Sequence, residues 1–182
     1  MKGAREQGFS LITILLMTVV LATLALGALN TSILQERMAG NSRDANIALQ
    51  SAEAALRDAE ADILASINTA SPFMATCDNG LCVPPSMSAG DARSQPAWQG
   101  VTWDSGHTRR YGQYTGAAAL PTVAVQPLYI IELLPDLPPG IGNSVNLGTQ
   151  SSQQPQVYRI TARATGRNPA TSVMLQSVFV KQ

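Results

Sequence analysis

The sequence predicts an α+β chain in which one long N-terminal helix packs its second half on a small antiparallel sheet. Three observations lead there: no charged residue lies between Glu6 and Glu36, no proline occurs before Pro72, and strand-like apolar runs are confined to the region after Leu128. The 182 residues, 45% of them apolar, can fill one globular domain and not two. Twelve Lys and Arg balance twelve Asp and Glu, so the basic excess of a nucleic-acid binder is missing. With a single histidine, His107, and two cysteines, the chain offers too few groups for a His/Cys zinc site or a Ser-His-Asp relay. Asp104 and His107 share a loop, but no nucleophile motif or glycine-rich phosphate loop stands near them. No catalytic residue, metal or cofactor is expected.

The first element is apolar throughout. Phe9 to Leu29 reads FSLITILLMTVVLATLALGAL, and roughly twenty residues at about 1.5 Å each cross a hydrocarbon core of about 30 Å. Thr13, Thr18 and Thr23 can return their hydroxyls to carbonyls one turn back, which makes them tolerable in lipid. Lys2 and Arg5 precede the run, while Glu36 and Arg37 follow it, which predicts a cytoplasmic N-terminus and an exported remainder. Three readings fit such a run. It is a cleaved secretory signal, with Ala25-Leu26-Gly27 supplying the small residues, or a plain signal anchor, or a retained helix defined by its leader.

The helix then turns amphipathic. Ala45, Leu49, Ala52, Leu56, Ala59, Ile63 and Ile67 recur every three or four residues and form one stripe for packing on a core. Glu53 and Arg57 stand four apart and can pair. Gly40 beside Asn41 costs about 1 kcal/mol relative to alanine in a helix interior. That makes Gly40 and Asn41 the expected point of bending or melting, unless the glycine serves the close approach of another helix.

The leader MKGAREQG, followed by Phe9 and the apolar run, resembles the class III signal of type IV pilins and type II secretion pseudopilins. The resemblance implies that a prepilin peptidase cuts between Gly8 and Phe9, methylates Phe9, and leaves the helix in place. Most pilins carry a glutamate five residues into the mature chain. Thr13 stands there instead, as in family members located at the filament tip. Residues 35–44, reading QERMAGNSRD, and 48–57, reading LQSAEAALR after Ala48, are similar to the N-terminal region of PilX-type minor pilins.

Membership in that family implies a non-enzymatic subunit that primes a type IV pilus and is incorporated near its tip, serving pilus biogenesis, twitching motility and adhesion. Its implied partners are other minor pilins, the major pilin, prepilin peptidase, the inner membrane and a tip adhesin, and no nucleic acid. The chain would sit in the inner membrane with a periplasmic head before assembly, and at the cell surface afterwards. The alternatives are a minor pseudopilin of type II secretion and a signal-anchored periplasmic binding module. The division expected is 1–8 leader, 9–30 membrane or filament-core helix, 31–70 stalk helix and 71–182 head.

Within the head, strands are expected at Leu128–Leu133, Val157–Thr165 and Ser172–Val180. The last two form a hairpin through Gly166-Arg167-Asn168-Pro169, with Tyr158, Ile160, Ala162 and Ala164 facing the helix. Pro84-Pro85, Pro138-Pro139-Gly140 and the segment from Gly140 to Gln156 read as loops. In an exported chain Cys77 and Cys82 are expected to bridge around the Asn79-Gly80 turn, the rivals being free thiols or a redox pair. Trp98, Trp103, Arg109, Arg110 and Tyr111 form an aromatic and basic cluster that either completes a small core or meets a partner. Charge is uneven: Glu36 to Asp62 holds six acids against three bases, whereas four bases and no acid follow Asp136. Oppositely charged faces would guide subunit stacking.

Overall fold

The computed structural model describes residues 9–84, 96–135 and 155–181, apart from the side chains of Phe9, Leu26 and 28–31. One helix, α1 (Phe9–Ala65), precedes five strands, β1 (Leu81–Cys82), β2 (Arg109–Arg110), β3 (Leu128–Leu133), β4 (Gln156–Thr165) and β5 (Ser172–Lys181). The leader with Gly8, Pro85, Pro138-Pro139-Gly140 and most of the 140–156 loop lie outside the described residues. The chain divides into two units, Met1–Arg43 and Asp44–Gln182.

In the first unit the described apolar side chains are exposed, Leu11 at 68% and Leu24 at 65%. Among the described residues no helix is long and apolar enough to cross a membrane. Thr18 and Thr23 do turn back as their positions suggested, donating to the Leu15 and Val20 carbonyls at 2.9 Å each. α1 is unbroken at Gly40 and Asn41, and a Cβ on Gly40 would meet nothing within 4 Å.

In the second unit the strand order is β1-β3-β4-β5, with β2 on the same edge of β3 as β1. β3, β4 and β5 are antiparallel neighbours, as their alternation predicted. The sheet is nevertheless mixed, because β1 runs parallel to β3 with Leu81 opposite Ile131. Two-residue strands such as β1 and β2 are too short to carry an alternating pattern, and the sequence gives no sign of them.

One face of the sheet packs on α1. Ala55, Ala59 and Ile63 meet Tyr129, Ile131, Tyr158, Ile160 and Ala162 in one buried cluster. The alanines let the helix lie close to the sheet, and the two tyrosines fill the space between its turns. The buried side of α1 lies to one side of the expected stripe: Ala48 and Ala55 are buried, whereas Ala45 and Leu49 are exposed. Two acids, Asp58 and Asp62, share that buried side and draw it round.

α1 ends at Ala65 rather than continuing to 70. Asn68 is responsible, since its side chain accepts from Ala70 N at 2.9 Å and its own N–H is taken by Ser71 Oγ at 3.0 Å, a local turn that competes with the helix. The freed carbonyls are met from the far end of the chain. Lys181 Nζ donates to Ile63 O at 2.8 Å and to Ile67 O at 2.6 Å, placing a cation at the negative end of the helix. Replacing Lys181 by methionine keeps most of the apolar stem and removes this cap. The expected loss is about 1–2 kcal/mol, read as a lower urea midpoint of the full chain.

Candidate functional site

The cysteines of the head are joined, Cys77 to Cys82. The loop they close passes through left-handed backbone at Cys77 (φ 59°), Asn79 (φ 53°) and Gly80 (φ 71°). Gly80 is required twice over, since a Cβ there would also stand 2.8 Å from Arg109 N. Contact with β2 is that close because Asn79 N donates to Gly106 O at 2.8 Å and Arg109 Nε donates to Asn79 O at 2.8 Å.

Arg109 is the hub of this layer. Its Nη1 donates to Asp62 Oδ2 at 2.5 Å, both side chains being buried, and its guanidinium lies 3.9 Å from the Tyr114 ring centroid. Tyr129 Oη donates to the same Asp62 oxygen at 3.0 Å. Burial, then the charges of Asp62 and Asp58, push the Tyr129 phenol far above its usual range. One turn earlier on α1, Asp58 accepts from Gly112 N at 2.9 Å and from the Thr115 hydroxyl. Two acids four residues apart thus hold the segment 109–115 against the helix. Arg109 therefore belongs to the interior and offers no partner surface, because Asp62 would otherwise be a buried, unpaired charge.

The other residues of the aromatic and basic cluster separate. Trp98 and Trp103 are half-buried and pack with Ala97, Ile130 and the disulfide on the sheet face opposite α1. Beneath them Glu132 is fully buried, accepting from Ala97 N at 2.6 Å and from Arg159 Nε and Nη2 at 2.8 and 2.9 Å. Tyr111 is half-buried against the helix-side cluster, whereas Arg110 is exposed. Arg163, exposed on β4, stands 5.9 Å from the Trp103 ring centroid.

Asp104 and His107 do meet, at 2.8 Å, but the same carboxylate also accepts from Gly106 N and His107 N at 2.9 and 3.0 Å. The hydrogen bond to the His107 side chain, followed by those to the backbone, lowers the Asp104 pKa. The pair closes a loop. Among the described residues no group of acids, histidines and cysteines could hold a metal ion.

A second lock joins the helix to the hairpin. Asp44 Oδ1 accepts from Arg167 N at 2.7 Å and from Asn168 N at 3.4 Å in the β4–β5 turn. Gly166 makes room for it, since a Cβ there would lie 2.5 Å from the carboxylate oxygen.

Two family models match the chain, one described as PilX N-terminal over residues 7–57 and one as type IV pilus assembly protein PilX C-term over residues 65–181. The chain belongs to the PilX family. It matches no curated protein and no solved structure. As a PilX-family chain it is a minor pilin related to type IV pilus assembly, and such proteins are structural pilins. The N-terminal match spans the residues 35–44 and 48–57 on which the resemblance rested. Within them Asp44 anchors the hairpin turn, a role that the motif alone does not disclose. Asp58 and Asp62 also went unrecognised in the PilX-family sequence. Their signal was present, since acids at 58 and 62 alternate with apolar positions 55, 59 and 63 on one helical face.

The Asp44 lock predicts a pH dependence. The Thr171 hydroxyl, and behind it the backbone N–H groups of Arg167 and Asn168, hold the Asp44 carboxyl below its usual pKa. A depressed carboxylate stabilises the fold fully above about pH 5 and loses that contribution as pH falls through its folded pKa. Asp44→Asn should flatten the acid limb of the stability profile, and Gly166→Ala should lower the thermal midpoint at neutral pH by pushing the carboxylate off the turn. Thermal unfolding followed from pH 7 to pH 3 checks both.

Proposed function

We propose that this PilX-family chain is made as a membrane-anchored precursor and becomes a minor pilin that primes a type IV pilus and sits near its tip. Prepilin peptidase cuts between Gly8 and Phe9, methylates Phe9, and leaves residues 9–30, the first part of α1, as the segment that first lies in the inner membrane. The observation that carries this reading is the exposed apolar half of α1 downstream of a Gly8-Phe9 junction, within a chain matched by both PilX domain models. Side chains such as Leu11, Ile14 and Leu24, each more than 60% exposed in the single chain, demand a cover. Lipid supplies it before assembly and neighbouring pilin helices supply it after, while the helical backbone satisfies its own hydrogen bonds in both settings.

Thr13 in place of the usual acid fits a subunit that docks beneath no other, because a carboxylate in that environment is costly unless paired. Gly40 and Asn41 supply the place where α1 yields during insertion into the filament. The head, periplasmic at first and at the cell surface later, meets other minor pilins, the major pilin and a tip adhesin. The match of residues 65–181 to the C-terminal domain of type IV pilus assembly protein PilX favours the pilus over the secretion pseudopilus.

Mass spectrometry and N-terminal sequencing of the protein from membranes, with and without prepilin peptidase, test the reading. N-methylated Phe9 as first residue only when the peptidase is present is the expected result. A chain starting at Met1 or Ala28 in both strains would remove the head from the pilin pathway.

A further inference from the structure

The described residues cover only part of the sheet face opposite α1. Among the described residues, Ala97, Trp98 and Trp103 lie over Ile130, whereas nothing lies over the β5 side, where Met174, Val178 and Val180 are 38%, 63% and 45% exposed. The register places Arg110 opposite Leu128, Leu128 opposite Arg163, and Arg163 opposite Met174. Paired residues share a face, so Arg110 and Arg163 flank Leu128 two strand spacings apart, about 10 Å. Neither joins an ion pair within the described chain, whereas Arg109 and Arg159 are paired with Asp62 and Glu132.

The outward side of α1 is the complement. Leu49, Glu53, Arg57, Glu60 and Leu64 fall on one stripe, with Leu64 62% exposed and Leu49 37%. Glu53 and Glu60 are seven residues apart, again about 10 Å along a helix. The stripe carries one net negative charge and ends in leucines, while the sheet face carries two arginines beside exposed apolar residues. The matching charges sit on opposite layers of one subunit, so they cannot meet within it.

We propose that the Arg110–Arg163 face of one copy docks on the Glu53–Glu60 stripe of a second copy, extending helix-on-sheet packing from subunit to subunit. Such a contact uses two different patches and is therefore heterologous, so its rotation decides whether it closes into a ring or runs on. It deepens the filament-subunit reading and rests on it. With Glu53 over Arg110 and Glu60 over Arg163, Leu64 falls toward Met174 at the far end of the same cross-strand row, and the Arg57 stem crosses Leu128 with its charge between the two glutamates.

Sedimentation of the full-length chain in neutral detergent tests the contact, using R110E/R163E and E53K/E60K as two charge-reversed proteins. The wild type should self-associate, more weakly as salt is raised, and each reversed protein alone should associate about tenfold more weakly. Mixed together, the two reversed proteins should recover association, because every acidic patch again finds a basic one. A monomeric wild type, unaltered association of the reversed proteins, or a mixture that stays apart would overturn the interface. Processing at Phe9 is read on the same proteins. Normal processing without the predicted association defeats the interface alone, and absent processing of the wild type defeats the reading beneath it.

Discussion

The buried ion pair between Asp62 and Arg109 is the interaction on which the head depends. A charge on the core side of α1 is costly unless it is paired and hydrogen-bonded, and Asp62 is fully buried. Arg109 and Tyr129 answer it from a loop-borne strand and from the centre of the sheet. Through Arg109 Nε the same side chain reaches Asn79 O, so the disulfide loop is held by the group that satisfies the helix. Asp58 repeats the logic one turn earlier by fixing Gly112 and Thr115. The described residues between Asn79 and Thr115 form only the two-residue strands β1 and β2, and the two acids add the side-chain ties that hold 109–115 to the helix.

Polar locks recur wherever the helix meets the rest of the head. Asp44 holds the hairpin turn, Asp58 and Asp62 hold the middle loops, and Lys181 closes the helix end from the last strand. On the opposite face Glu132 does the same work, tying Ala97 and Arg159 beneath the tryptophans. Much of the uneven charge along the sequence is therefore consumed inside the subunit. Asp44, Asp58 and Asp62 of the helix and Arg159 and Lys181 of the C-terminal strands each have a backbone or side-chain partner, while Glu53, Arg57 and Glu60 on the helix and Arg110 and Arg163 on the sheet join no ion pair among the described residues. These locks all lie within the second unit, Asp44–Gln182.

The long helix, the three long strands and their hairpin were legible because each follows a periodicity of side chains. β4 alternates Tyr158, Ile160 and Ala162 with Arg159, Thr161 and Arg163, and a one-residue slip would expose the apolar set. The helix boundary at Ala65 was not legible, because Asn68 ends the helix through a local side-chain turn while no proline appears until Pro72. β1 and β2 were invisible, being two residues long and made by tertiary pairing. Among the cluster at Trp98 to Tyr111, residue type alone could not separate Arg109, drawn inward by an acid 47 positions earlier, from exposed Arg110 beside it. The leader and Phe9 were read from sequence, where the Gly-Phe junction and the run after it carry the signal.

A double-mutant cycle on Asp62 and Arg109, read by urea unfolding of the full chain, tests most directly the claim that this pair organises the head. Arg109→Leu leaves a buried carboxylate unpaired and Asp62→Leu leaves a buried guanidinium unpaired, so each alone should cost about 3–5 kcal/mol. The double replacement leaves neither, and it should cost at least about 2 kcal/mol less than the sum of the two. Single effects that simply add, or that fall below about 1 kcal/mol, would show that the head stands without the pair and would contradict the account given for it.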